Sequence, residues 1–192
     1  MKIYGDKISG NCLKVKYVAD YLKQTYEWID VGVVAGEAKS EVFLKINPAG
    51  QVPAIEVPNG DTLAQSNAIM LYLAKGSDLI PADGWLEAKM NEWLFWEQYS
   101  HETAIAVTRF QVVYRGISFS DVDPELIRKS YVALDVMEKH LQKHDWFLGD
   151  DFSLADIALY AYTQFAAEVG FDMSEYTSTV QWLKNVRIKL NL

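Results

Sequence analysis

The stretch Asn47-Pro48-Ala49-Gly50-Gln51-Val52-Pro53 runs directly into the apolar segment Ala54-Ile55-Glu56-Val57. Val52-Pro53 sets an X-Pro bond between a glycine-bearing turn and a strand, and a cis isomer there would turn the backbone N–H and C=O of Val52 toward a peptide-like ligand. Downstream, Pro58-Asn59-Gly60-Asp61 is a strong turn signal between Ala54 to Val57 and Thr62 to Ala64, so those two segments read as a hairpin. The Gln65-Ser66 pair then opens a helical pattern carrying Ile69, Met70, Leu71, Tyr72 and Leu73. With Ser66 as N-cap, its hydroxyl and the first-turn N–H groups favour a carboxylate by hydrogen bonding and by the helix dipole. A turn offering backbone and a helix end favouring anions together describe a site for a small anionic peptide.

Upstream of that stretch, Lys2 to Tyr4 and Trp28 to Val31 read as short strands. Between them a helix from about Cys12 to Tyr26 carries Leu13, Tyr17, Val18, Tyr21 and Leu22 at helical spacing, which makes a right-handed βαβ unit. A second short helix from Ser40 to Ile46 stops before Asn47-Pro48, where the proline disfavours continuation. The order β-α-β-α-β-β-α is the thioredoxin-like arrangement. Everything past the breaker-rich link from Lys75 to Gly84 reads as helix. The predicted fold class is therefore α/β plus all-α, with a thioredoxin-like domain over residues 1–76 and an all-helical domain over 85–192. In the second domain one long helix is expected from Trp85 to about Tyr114, and another from Pro124 to His144 with Asp123 as cap. Ser153-Leu154-Ala155-Asp156 is a candidate capping box. A last helix is expected from Thr179 to Lys189, with Val180, Leu183, Val186 and Leu190 on one side.

Composition narrows the function classes. The chain has 192 residues, half of them hydrophobic, which suffices for real cores. A net charge of -8 with no Lys/Arg cluster argues against nucleic acid as a partner. No apolar run approaches the ~18 residues of a membrane span, and Met1 to Lys7 has no apolar signal region, so a cytoplasmic protein without a membrane partner is expected. The single cysteine excludes an intramolecular disulfide framework. Of the three histidines only His140 and His144 share a helical spacing, and Lys139 and Lys143 beside them read as a solvated face, so no metal is expected.

Ser9-Gly10-Asn11-Cys12 occupies the turn between the first strand and first helix, where a thioredoxin-like fold presents a Cys-x-x-Cys motif. A serine in the leading position forms no disulfide, but its hydroxyl can donate a hydrogen bond to a bound thiolate and lower that thiol's pKa. A depression of roughly two units from the free value near ~8.5 is worth about 2.7 kcal/mol, the order expected of one strong hydrogen bond and a helix dipole. Ser9 is the first candidate activator and Asn11, with its side-chain amide, the second. Cys12 reads either as a small buried residue facing the sheet or as a thiol able to form a mixed disulfide.

These motifs resemble those of the glutathione S-transferases, and the resemblance covers nearly the whole chain. Ser9-x-Asn11 with Lys14-Val15-Lys16 is similar to the activating loop of serine-type bacterial, theta-, phi- and nu-like members. Gly36 to Lys39 with Phe43-Leu44 and Asn47 to Pro53 resembles their second block, and Gln65 to Ile69 their third. The resemblance implies that glutathione is the co-substrate. Lys39 would pair with its glycyl carboxylate, Val52 would bond its cysteinyl backbone within the loop of Gln51 and Pro53, and Gln65 with Ser66 would hold the γ-glutamyl end. It further implies that Ser153 and Asp156 are a structural cap, and that an apolar electrophile binds between the domains against Tyr99, Thr103, Val107 and Phe110. A cytoplasmic homodimer serving detoxification is implied as well, with Trp93, Trp96 and Tyr99 available to the interface. Ala38 and Gln65 depart from the commoner histidine and glutamate. Two alternatives accompany the transferase reading: a glutathione-dependent disulfide reductase or peroxidase, in which the same glutathione thiolate attacks sulfur or oxygen and Cys12 is the residue to test, and a non-catalytic dimeric scaffold.

Overall fold

A computed structural model describes residues 1–192, which divide into two compact units, Met1–Asp78 and Leu79–Leu192. The first unit is built on four short strands, β1 (Lys2–Gly5), β2 (Glu27–Asp30), β3 (Ala54–Glu56) and β4 (Thr62–Ala64), in the order β2-β1-β3-β4. Strand β1 pairs in parallel with β2, Lys2 opposite Glu27 and Tyr4 opposite Ile29, and antiparallel with β3, Ile3 opposite Ile55. β3 and β4 form the expected hairpin, closed by Val57 N–H to the Asp61 carbonyl at 2.9 Å. The parallel pair requires a crossover, supplied by α1 (Gly10–Tyr21). Its residues Cys12, Val15, Val18 and Ala19 are fully buried. Gly5 lets the helix come close, because a Cβ there would lie 2.8 Å from the Trp28 ring and 3.1 Å from the Cys12 Cβ.

Several boundaries differ from the sequence reading, each for a local reason. α1 starts two residues earlier than expected and ends at Tyr21, because Lys23 takes a left-handed φ of 52° that breaks the helix. Of the segment read as one helix from Ser40 to Ile46, only the single turn α2 (Glu41–Leu44) is helical, and a separate 3-10 turn, Glu37–Lys39, precedes it. Ser40 separates them, its hydroxyl accepting the Phe43 N–H at 3.3 Å. Helix α3 (Ser66–Leu73) is present, but its N-cap is Gln65, and Ser66 is its first helical residue.

In the second unit α4 (Gly84–Trp96) continues in right-handed helical backbone through a wider π-helical stretch, Glu97–Ala106, the short α5 (Val107–Arg109) and a second π stretch, Phe110–Tyr114. Periodicity predicts this length and cannot see the change to i→i+5 bonding. α6 (Pro124–Leu141), α7 (Leu154–Thr163), α8 (Ala166–Val169) and α9 (Thr177–Lys189) complete the unit. All ten residues of α7 are buried, making it the central rod. The buried face of α9 is Thr179, Trp182 and Val186; Trp182 holds the place expected of Leu183. Leu79, inside the segment read as a link, is fully buried, and its carbonyl accepts Leu154 N–H at 3.1 Å. That bond ties the end of the link to the helical unit.

The capping box forms as read. Asp156 Oδ2 accepts Ser153 N–H at 3.0 Å, and Ser153 Oγ accepts Ala155 N–H at 3.2 Å. Beyond the box, Asp156 Oδ1 also accepts Phe147 N–H at 3.1 Å and Trp182 Nε1–H at 2.9 Å, joining α7 to α9 and to the loop before it. Glu138 of α6 serves the start of α9 in the same way, accepting Ser178 N–H at 3.0 Å and Thr179 N–H at 2.8 Å.

Candidate functional site

The first unit gathers the candidate residues from three places in its sequence. Ser9 has extended backbone and its carbonyl accepts Leu13 N–H at 2.9 Å, so α1 begins immediately after it. Its hydroxyl makes no capping bond to that helix. It reaches the Cys12 thiol instead. Cys12 has no exposed surface, and its Sγ also accepts Asp6 N–H at 3.3 Å. Burial pushes this thiol up to about 11, against the opposite pull of Ser9 and of the Asp6 amide. A neutral, enclosed thiol is no nucleophile near pH 7. The structure thus favours the packing role of Cys12 and disfavours a mixed disulfide at this thiol.

Asn11 and Ser66 lie 55 residues apart and meet: Ser66 Oγ donates to Asn11 Oδ1 at 3.1 Å. This bond joins the first turns of α1 and α3, so two helix N-termini open side by side. Each contributes partial positive charge and N–H donors, which suits an anionic group. Gln65, immediately before Ser66, has φ 71° and ψ 113°, outside the regions that ordinary side-chain-bearing residues favour. No spacing rule announces this conformation. It is held by β4 ending at Ala64 and by Gln65's carbonyl accepting Ile69 N–H at 2.9 Å.

The loop from Asn47 to Pro53 is clamped by Asn47, which is buried. Its Nδ2 donates to the Gln51 carbonyl at 2.7 Å, and its Oδ1 accepts Ala49 N–H at 3.1 Å. Val52-Pro53 is cis. The β3 ladder begins only at Ala54, leaving Val52 ahead of it. Lys39 crosses the same loop, its Nζ donating to the Ala49 carbonyl at 3.0 Å. Gly50 makes room for that crossing: it has φ +60°, and a Cβ on it would sit 2.8 Å from both Lys39 Nζ and the Ala38 carbonyl. In the sequence Asn47 and Gly50 stand only as parts of a motif. The Asn-Pro turn signal is the sequence's clue to the clamp, whereas Gly50's service to Lys39 has none.

In the second unit the four residues expected to share a pocket divide. Tyr99 and Thr103 line a groove of about 440 Å³ with Trp96, Val132 and Val136, and Arg128 and Lys129 line it as well. Val107 and Phe110 are half-exposed and outside that lining, with Phe110 stacked on Tyr114 at 5.0 Å. Arg109 is buried, its guanidinium 4.0 Å over the Phe165 ring. His140 Nε2 lies 3.1 Å from the Trp146 carbonyl and so acts as a donor there.

Comparison with known proteins identifies the family. The glutathione S-transferase N-terminal domain matches residues 1–75, and the C-terminal domain of the same family matches 108–187. The chain belongs to the glutathione S-transferase family. It is 32% identical to glutathione S-transferase 3 of Zea mays over 165 residues, 81% of this chain and 73% of that one. A crystal structure of a glutathione S-transferase from Pseudomonas fluorescens superposes with a TM-score of 0.93 at 43% identity, over 97% of this chain and 94% of its own. Another, from Xanthobacter autotrophicus, gives 0.91 at 35% identity over 97% and 92%. The family comprises transferases that use glutathione as substrate, and glutathione transfer is the function these relatives support. No helix of the chain is long and apolar enough to cross a membrane.

Proposed function

We propose that this glutathione S-transferase binds glutathione in the first unit, holds its sulfur as the thiolate, and directs it onto an electrophilic carbon of an apolar small molecule. The observation that carries the reading is the 3.1 Å bond between Ser66 and Asn11, which sets two helix N-termini beside the turn that starts at Ser9. The γ-glutamyl end lies against Gln65 and Ser66, the cysteinyl backbone pairs with Val52 in the loop of Gln51 and Pro53, and Lys39 takes the glycyl carboxylate. Ser9 rotates its hydroxyl from the Cys12 thiol to the glutathione sulfur. Asn11 supplies a second polar group at that end of α1. Holding the thiolate and electrophile together lowers the barrier by orientation, and the protein itself is not covalently modified.

Val107 and Phe110 offer half-exposed apolar surface to the electrophile. Tyr99 and Thr103 line the other groove, and Tyr99, at 85% exposure, serves a second copy of the chain better than a small molecule. In this reading the protein is a homodimer that works in the cytoplasm to detoxify electrophiles. Ultraviolet absorbance of the bound thiolate tests the central claim. Bound glutathione should ionise roughly two units below the free value near ~8.5. A bound thiol that ionises no earlier than in buffer refutes the mechanism.

A further inference from the structure

Lys14 has no exposed surface, although its neighbours in sequence place it near the start of α1 rather than deep in the sheet. Burying an ammonium is expensive, so a lysine kept in such a place has a specific partner. Its Nζ donates to Asn11 Oδ1 at 2.8 Å, one helical turn away on the same face. The same oxygen accepts Ser66 Oγ at 3.1 Å. One carboxamide oxygen therefore collects two donors from two helices, one of them charged. A carboxamide held in this way has a single orientation, with its oxygen toward Lys14 and Ser66 and its amino end turned from them. With a neutral side chain at position 14 the amide can flip, since a serine hydroxyl also accepts a hydrogen bond.

We infer that Lys14 is a positioning residue of the glutathione site, acting through Asn11 to fix both the Asn11 amide and the Ser66 hydroxyl for the incoming tripeptide. This rests on the site proposed above. A lysine that only supported the fold would lower stability when replaced, yet leave the affinity of the folded protein and the ionisation of the bound thiol unchanged.

The test compares wild type with Lys14→Met, Lys14→Arg, Asn11→Ala and the Lys14→Met/Asn11→Ala pair. Glutathione affinity is read by calorimetry and thiol ionisation by ultraviolet titration. Lys14→Met should weaken glutathione at least fivefold and raise the pKa of the bound thiol, with Lys14→Arg recovering most of both. The double variant should be no weaker than Asn11→Ala alone. Wild-type behaviour of Lys14→Met, failure of arginine to rescue, or losses that multiply in the double variant would each overturn the inference. Should Lys14→Met not fold, the ammonium resonance of Lys14 in ¹⁵N-lysine wild-type protein replaces it; a signal unmoved by glutathione counts against the role. The Asn11 side-chain amide resonances report the Lys14 contact without any ligand. Wild-type protein that shows this contact and does not bind glutathione refutes the proposed site, and the role of Lys14 in it, whereas normal binding without the contact refutes the role alone.

Discussion

Ser9 and Cys12 sit one helical turn apart and have opposite chemistry. The hydroxyl of Ser9 can turn to a ligand because it does not cap its helix, whereas the thiol of Cys12 is enclosed and pushed up to about 11. Ser9→Ala should lower kcat/KM for glutathione about 10- to 100-fold, the value of one charge-assisted hydrogen bond, with the protein as stable as before. Steady-state kinetics with an activated aryl halide measure this. Cys12, in contrast, should resist iodoacetamide at pH 7.5 in the native protein and react fully in urea; rapid labelling of folded protein would contradict its burial. Gly50→Ala should cost about 1–2 kcal/mol from its left-handed backbone alone. Because the new Cβ also meets Lys39, glutathione affinity should fall together with the melting temperature.

Helix α7 and its capping box illustrate how one side chain links several segments. Asp156 accepts from Ser153, Phe147 and Trp182, so Asp156→Ala leaves buried N–H donors on three segments without a partner. A loss of about 3 kcal/mol or more is expected in urea unfolding. Burial pushes the Asp156 carboxyl up to about 6, against the pull of those donors. A raised carboxyl favours folding while protonated, so its pH-linked contribution is complete below the unfolded value near ~4 and is lost as pH rises through about 6. The stability gap between wild type and Asp156→Ala should therefore narrow from pH 4 to pH 7. Glu138 behaves in the opposite sense. Burial raises it, but the Thr179 and Ser178 donors outweigh burial and hold it below the usual range, so its contribution disappears as the solution is acidified.

For the whole molecule, the groove of Tyr99, Thr103, Val132 and Val136 predicts the assembly state. Light scattering should give about twice the 21.8 kDa of one chain. A Tyr99→Glu/Val132→Glu variant should shift the protein toward the monomer while each chain keeps its helical circular dichroism. A wild-type mass of one chain would remove the groove from consideration as a self-association surface.

Much of this organisation is legible in the order of residues because its causes are local. Turn residues at Pro58 to Asp61 end one strand and start the next, apolar positions three and four residues apart mark helices, and Ser153 with Asp156 satisfies N–H groups within a single turn. The family motifs around Ser9, Asn47 to Pro53 and Gln65-Ser66 are equally local, which is why their residue types are readable before their geometry. What depended on packing has no such signal. Gln65 rather than Ser66 occupies the N-cap position of α3, at a positive φ between the end of β4 and the helix. Tyr99 and Thr103 separate from Val107 and Phe110, because α6 packs beside the long helix and claims only part of its face. Lys14 looks like an ordinary surface lysine in the sequence; its bond to Asn11 is local, but its burial and the arrival of Ser66 at the same oxygen, from 55 residues away, exist only once the chain has folded around them.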